Sequence, residues 1–199
     1  MDGKRGMDLA VAVPMMIVTL PVQALVALGV LGTIGRPVLF RQERPGLHGE
    51  PFTMVKFRTM RAADPDSGPV DDAHRLTRLG RFLRATSLDE LPSLWNIVRG
   101  DMSLVGPRPL LVRYLPRYTA QQARRHEVRP GLTGLAQVSG RNALTWERKF
   151  ELDVEYVDTH TVRGDLRILA ATVGKVLRRD GVTGEGSATM TEFLGSEPS

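Results

Sequence analysis

Thr86–Pro109 reads TSLDELPSLWNIVRGDMSLVGPRP, and the rest of the chain can be read as support for it. Ser87 followed three residues later by Glu90 matches a capping box, so the spacing predicts a helix opening here, with Leu91, Leu94, Trp95 and Val98 as its apolar stripe. Asp89 and Glu90 then fall in the first turn. Helical neighbours lie about 100° apart, so the two carboxylates cannot aim at one point. One can face a reacting atom while the other holds a metal or a backbone N–H. The positive end of a helix keeps a carboxylate ionised and also welcomes a phosphate, and an ionised carboxylate with a phosphate beside it is an equipped nucleophile. The plainer alternative is that Glu90 only closes the capping box and Asp89 only complements the dipole. The sequel favours chemistry: Pro107 and Pro109 bracket Arg108 after Gly106, which stiffens the backbone and fixes the direction of one guanidinium.

Moving outward, KFRTM (Lys56 to Met60) precedes this stretch, and RPGLTGLAQVSGRN (Arg129 to Asn142) and WERKFELDVEYV (Trp146 to Val157) follow it. In this order the blocks resemble the bacterial sugar transferase family, the monotopic phosphoglycosyl transferases that start lipid-linked glycan assembly. The resemblance covers residues 5 to 178. It implies a mostly α protein with a small β-hairpin component (α+β), monotopic in the membrane through an N-terminal re-entrant helix. It also implies transfer of a phosphosugar from a UDP-sugar to polyprenol (undecaprenyl) phosphate with release of UMP, the first membrane step of glycoconjugate or exopolysaccharide assembly. On that pattern Asp89 is the nucleophile that forms an aspartyl phosphosugar. Glu90, with Asp89, holds Mg2+, and Lys56, Arg84, Arg108 and Arg141 neutralise the phosphates. Asp153 aligns with a family aspartate associated with the site. The implied place is the cytoplasmic face of the bacterial inner membrane.

The residues support parts of this independently. Leu9 to Gly35 is an uncharged run of 27 residues flanked by Lys4, Arg5 and Asp8 before it and Arg36, Arg41 and Arg44 after it. That exceeds the roughly 20 residues a spanning helix needs. A cleaved signal peptide is disfavoured by the length of the run and because no A-x-A site stands between it and the domain that follows. A straight span is disfavoured because both flanks are basic, whereas a hairpin returns both to one side. Pro14 and Pro21 lie inside the run, and Pro21 is the natural break point. The family bends at a Ser-Pro pair. Here Leu20-Pro21 stands in its place, with Thr19 able to reach a carbonyl of the preceding turn. The expected organisation is a re-entrant membrane helix over residues 1–35, a catalytic domain with interfacial helices over 36–179, and a disordered tail over 180–199.

Arg36 to Pro45 and Phe52 to Met60 read as two strands joined by Pro45-Gly46. On the second, Lys56 and Arg58 share a face and can grip a diphosphate. Arg61 to Arg75 reads as a loop, with a lid as the less favoured option. Leu76 to Arg84 reads as a short basic helix, Leu110 to Val128 as a helix broken by Pro116 with a basic end at Arg124 and Arg125, and Gly134 to Val138 as a strand. Ser139 to Asn142 reads as a turn exposing Arg141, Leu144 to Thr159 as a helix, and Asp165 to Arg179 as a basic amphipathic helix.

A net charge of +5 and pI of 10.1 point to an anionic partner without choosing one. The chain has no cysteine, which excludes disulfides and thiolate metal sites, and its four histidines lack ligand spacing, which disfavours a zinc enzyme. A membrane-anchored protein binding nucleic acid or anionic lipid would explain the charge. It would not need LDE or GPRP, and 6% aromatic residues without stacking motifs argue against single-strand binding. The expected partners are therefore a UDP-sugar, a polyprenol phosphate and membrane lipid, with no nucleic acid.

Overall fold

The computed structural model describes residues 3–62, 72–140, 143–178 and 192–195. The chain begins with two helices, α1 (Gly3–Val18) and α2 (Leu20–Thr33), bent 59° to each other. Among the described residues no single helix is long and apolar enough to cross a membrane, while this bent pair passes the same test together. The break falls at Thr19, with Pro21 in the first turn of α2, where a missing N–H does least harm. Thr19 Oγ1 donates to the Met15 carbonyl at 2.7 Å and accepts from Gln23 Nε2 at 3.1 Å, so a hydroxyl does satisfy the bend. Ile17, Val18, Leu20, Leu25 and Leu28 point away from the protein and are exposed.

The opposite faces of this pair are core. Ala12, Val26 and Val30 belong to one buried cluster with Met54, Phe57, Leu83, Leu94, Ile97, Met102, Leu104, Val105 and Tyr156. The charges before the apolar run are also anchors. Lys4 Nζ donates to Asp165, to the Tyr156 hydroxyl and to the Val105 carbonyl, Arg5 donates to the Ile97 and Val98 carbonyls, and buried Asp8 accepts from Ser103 Oγ and the Leu104 N–H.

The hairpin follows as β1 (Leu39–Pro45) and β2 (Pro51–Phe57), antiparallel with Phe40 opposite Lys56 and Arg41 opposite Val55. β2 stops at Phe57 rather than running to Met60. A short helix α3 (Asp72–Arg75) leads into α4 (Arg78–Ala85), capped by Thr77 Oγ1 accepting from Gly80 N–H. Gly80 lies so close to the Thr59 carbonyl that a Cβ would sit 2.0 Å from its oxygen, which lets α4 press onto the segment after β2.

The predicted capping box at Ser87 does not form. Ser87 has φ +56°, the left-handed residue that ends α4, and its side chain caps nothing. Leu88–Ser93 is a 3-10 turn, as Pro92 inside it disfavours α geometry, and the α-helix proper, α5, runs Leu94–Arg99.

β3 (Ser103–Val105) pairs in parallel with β4 (Gly131–Thr133). Between them the helix over Leu110 to Val128 is interrupted at Pro116, as expected, and is reduced to short pieces. Pro116 lies in a 3-10 turn Val112–Arg117, a Thr119/Gln122 capping box starts the one-turn α6 (Ala120–Ala123), and Arg124–His126 is again 3-10. Gly134 to Val138 is not a strand: Gly134 caps the short helix α7 (Leu135–Ser139), and the strand lies just before it. Helices α8 (Trp146–Thr159) and α9 (Val162–Arg178) complete the described body, a mostly helical fold with two two-stranded sheets. Part of the presumed disordered tail is packed: Phe193 is buried with Tyr114 and Phe150, against Tyr118 and Trp146.

Candidate active site

The 3-10 turn carries Asp89 and Glu90 to the point where β2 and the loop after β3 converge. Three polar contacts hold that junction: Ser93 Oγ donates to the Val55 carbonyl at 2.8 Å, Asn96 Oδ1 accepts from the Val55 N–H at 3.2 Å, and Asn96 Nδ2 donates to the Thr53 carbonyl at 2.8 Å. Lys56 is the next residue on β2, and its Nζ donates to Glu90 Oε1 at 2.6 Å.

The second cation comes from the other side. Gly106 packs against the Arg129–Gly131 backbone so closely that a Cβ would lie 2.4 Å from the Arg129 carbonyl oxygen. The Gly106 N–H donates to the Thr133 carbonyl, and the Gly131 N–H donates to the Pro107 carbonyl, both at 2.9 Å. With Pro107 and Pro109 on either side, Arg108 is aimed at the carboxylates, and its Nη2 donates to the same Glu90 Oε1 at 2.8 Å. Two cations on one carboxylate oxygen form a strongly charge-assisted pair.

The two neighbouring carboxylates are thereby driven apart. Burial and the adjacent Glu90 charge push Asp89 up to about 6 against the pull of Lys56, Arg84 and Arg108. Burial alone would also raise Glu90, but the charges and hydrogen bonds of Arg108 and Lys56 override it and hold Glu90 far below the ordinary carboxylate range. Burial lowers Lys56, partly offset by Glu90, and Glu90 raises Arg108. Pairs of titratable groups pushed in opposite directions mark acid–base and nucleophilic sites. Asp89 is ionised at neutral pH yet more basic than an ordinary aspartate, which suits a nucleophile.

The other predicted residues divide. Arg84 reaches this neighbourhood from α4, its Nε donating to Thr59 Oγ1 at 3.1 Å, and its charge acts on Asp89. Arg58 does not join: once β2 has ended its guanidinium turns back, donating to the Arg36 and Met60 carbonyls. Arg141, Asn142 and most of the loop read as a possible lid lie outside the described residues. Asp153, expected at the phosphates, is buried and bonded to Arg125, whose Nε and Nη2 donate to its Oδ2 at 3.0 and 2.7 Å. Arg125 Nη2 also donates to the Arg108 carbonyl at 2.7 Å. Sequence reading passed over Arg125 as one more cation of a basic run, and only its spacing to a partner 28 residues away distinguishes it.

A Mg2+ ion commonly takes one or two carboxylates and completes its shell with water and substrate phosphates. Glu90, kept ionised, and Asp89 beside it are a donor set of that kind. Among the described residues no group of three or more Asp, Glu, His or Cys could hold a metal without such help.

Residues 2–179 match the family described as bacterial sugar transferase. The chain belongs to the bacterial sugar transferase family. Sugar-phosphate transferase is the enzyme class that follows. The chain is 52% identical over 194 residues to a Bacillus subtilis protein named uncharacterized sugar transferase EpsL, a match covering 97% of this chain and 96% of that protein. It is 41% identical over 189 residues to the UDP-glucose:undecaprenyl-phosphate glucose-1-phosphate transferase of Caulobacter vibrioides, covering 89% of this chain and 70% of that one. With the UDP-galactose-lipid carrier transferase of Erwinia amylovora it shares 39% over 196 residues, 89% of this chain but 41% of that longer protein. The name of the Caulobacter relative gives undecaprenyl phosphate, a lipid phosphate, as the acceptor of that protein.

Proposed function

We propose that the protein transfers a phosphosugar from a UDP-sugar to polyprenol phosphate in two steps, with Asp89 as the covalent nucleophile. The observation that carries this reading is the divided carboxylate pair: Asp89 raised to about 6, beside a Glu90 locked to Lys56 and Arg108.

In the first step a carboxylate oxygen of Asp89 attacks the sugar-linked phosphorus of the donor. The bond from that phosphorus to the bridging oxygen breaks, and UMP leaves. In the second a phosphate oxygen of the acceptor attacks the same phosphorus, the acyl–phosphate bond breaks, and Asp89 returns as a carboxylate. Lys56, Arg84 and Arg108 offset the charge on the phosphates, and fixed cations of this sort supply most of the stabilisation phosphoryl transfer requires. Glu90, with Asp89, would hold Mg2+, which when bound neutralises donor phosphate charge.

The bent pair α1–α2 dips into one leaflet and returns, so the carboxylates stand at headgroup level on the cytoplasmic face. A water-soluble nucleotide sugar and a lipid phosphate can meet there. The product begins assembly of a lipid-linked glycan or exopolysaccharide.

The test is intact-protein mass spectrometry of nanodisc-held protein with Mg2+ and a panel of UDP-sugars headed by UDP-glucose and UDP-galactose, without acceptor. A mass increase of one phosphosugar, absent in Asp89→Asn, is expected. UMP release that requires the acceptor, with no adduct from any donor, would replace the two-step scheme by direct transfer.

A further inference from the structure

We infer that Glu192–Gly195 is a positioning element of the catalytic centre: Phe193 seals the aromatic cage that fixes Arg125, and Arg125 fixes Arg108 against Glu90. Nothing in the local sequence asks Phe193 to be buried, since its neighbour Leu194 is 80% exposed while Phe193 is 2% exposed. The segment is clamped from outside. Arg117 Nη1 donates to Glu192 Oε1 and to the Phe193 carbonyl, Arg113 pairs with the other Glu192 oxygen at 3.1 Å, and the Phe193 N–H donates to the Tyr114 hydroxyl.

Inside, the Phe193 ring meets Phe150 at 4.9 Å, Trp146 at 5.5 Å, Tyr114 at 5.7 Å and Tyr118 at 5.8 Å between centroids. Two of those four rings also face Arg125, whose guanidinium lies 5.6 Å from Phe150 and 5.8 Å from Tyr118. Arg125 Nη1 donates to the Tyr118 hydroxyl at 3.4 Å, and its other donors go to Asp153 and to the Arg108 carbonyl. The contacts are therefore continuous from Phe193 through Tyr118 and Phe150 to Arg125, and from there to the main chain of Arg108.

Arg108 needs such support. Its side chain is 45% exposed, and a long exposed side chain held in one direction loses rotamer freedom that something must offset. Removing the Phe193 ring leaves space into which Tyr118 and Phe150 can relax, and Arg125 follows. Arg125, Asp153 and Phe193 touch neither carboxylate in this arrangement; each acts through Arg108. A shift of about 1 Å at a positioned group costs on the order of 100-fold in rate.

The experiment uses the full chain in nanodiscs, comparing Phe193→Ala with the conservative Phe193→Leu and with Arg148→Ala, an exposed residue on the face of α8 opposite Trp146 and Phe150. The first arm needs no substrate: carbodiimide labelling of Glu90, normalised to exposed Glu155 and read by peptide mass spectrometry. Labelling of Glu90 is expected to rise several-fold in Phe193→Ala, to fall back in Phe193→Leu and to stay at the parent value in Arg148→Ala.

The second arm rests on the transferase reading: kcat is expected to fall roughly 2- to 30-fold in Phe193→Ala with donor KM little changed. Glu90 labelling equal to the parent in folded Phe193→Ala overturns the inference. A parent protein that transfers from no donor overturns the transferase reading instead, and the labelling arm still decides. If Phe193→Ala does not fold, Arg117→Ala releases the same segment from outside the cage, and an unchanged Glu90 there overturns the inference equally.

Discussion

Replacing Asp89 by Asn is expected to abolish transfer and, above pH 6, to make the protein more stable. Asp89 is 8% exposed, and burial together with the Glu90 charge raises it from the ordinary 3.8 to about 6. That difference corresponds to about 3 kcal/mol favouring the neutral form in the folded protein. The sign follows from proton binding. Between the unfolded value near 3.8 and the folded value near 6 the native state binds more protons, so this group's contribution to stability is complete below the first and lost through the second. Asn stays neutral throughout.

The variant should therefore match the parent below pH 4 and exceed it at pH 8 by up to about 3 kcal/mol, roughly 6–12 °C in Tm for a chain of this size. Thermal unfolding of both proteins in the same detergent, at pH 4 and pH 8, checks it. Under the proposed mechanism kcat/KM of the parent should also lose activity as pH falls through about 6. Equal Tm values at pH 8, with an acid limb near pH 4, would refute the argument that burial and Glu90 set the state of Asp89.

Three further outcomes are expected. Ser87→Gly should raise stability by about 1 kcal/mol, because φ +56° strains any residue with a Cβ, whereas Ser87→Val should lower it; denaturant midpoints measure both. Lys4→Met leaves Asp165, with its carboxylate fully buried, without its cation and should cost about 3–5 kcal/mol, while adding Asp165→Asn should recover much of the loss in a double-mutant cycle. Gly106→Ala places a methyl group within 2.4 Å of the Arg129 carbonyl oxygen, so it should displace Arg108, raise carbodiimide labelling of Glu90 and reduce kcat by about 100-fold.

Much of the candidate site was legible because the residues that meet there are concentrated in two short runs. Lys56 lies in KFRTM and the carboxylates and Arg108 in one stretch of 24 residues, and a proline-bracketed arginine declares its rigidity locally. The bend was legible for the same reason: length, flanking charge and Pro21 are all local. Errors arose where two local signals competed. Ser87 carries an N-cap side chain, yet it closes the preceding helix, and one residue cannot be both left-handed C-terminus and extended N-cap. Gly134 to Val138 reads as a strand, but β4 ends at Thr133, and extended Gly134, packed on the Gly106 carbonyl, is the cap from which α7 starts. Arg58 shares a strand face with Lys56 on paper, but the pairing ends at Phe57, and with it the periodicity that would have aligned them.

By itself the sequence determined the family and a bent apolar segment, and it named most residues of the candidate site, since each signal lies in a short run of adjacent residues. Tertiary structure alone decided how charge is shared. Asp89 and Glu90 are adjacent, chemically similar acids, and no spacing rule could say which would be raised and which lowered. That follows from Lys56 and Arg108 arriving on Glu90 from elements 34 and 18 residues away. The same holds for Lys4, Asp8, Asp153 and Phe193, read as flanking charges, a site acid and a loose tail: Lys4 is half-buried against Asp165, and the other three are buried. A side chain's burial and partners depend on what the chain brings to it from a distance, and a reading confined to neighbours along the sequence has no access to that.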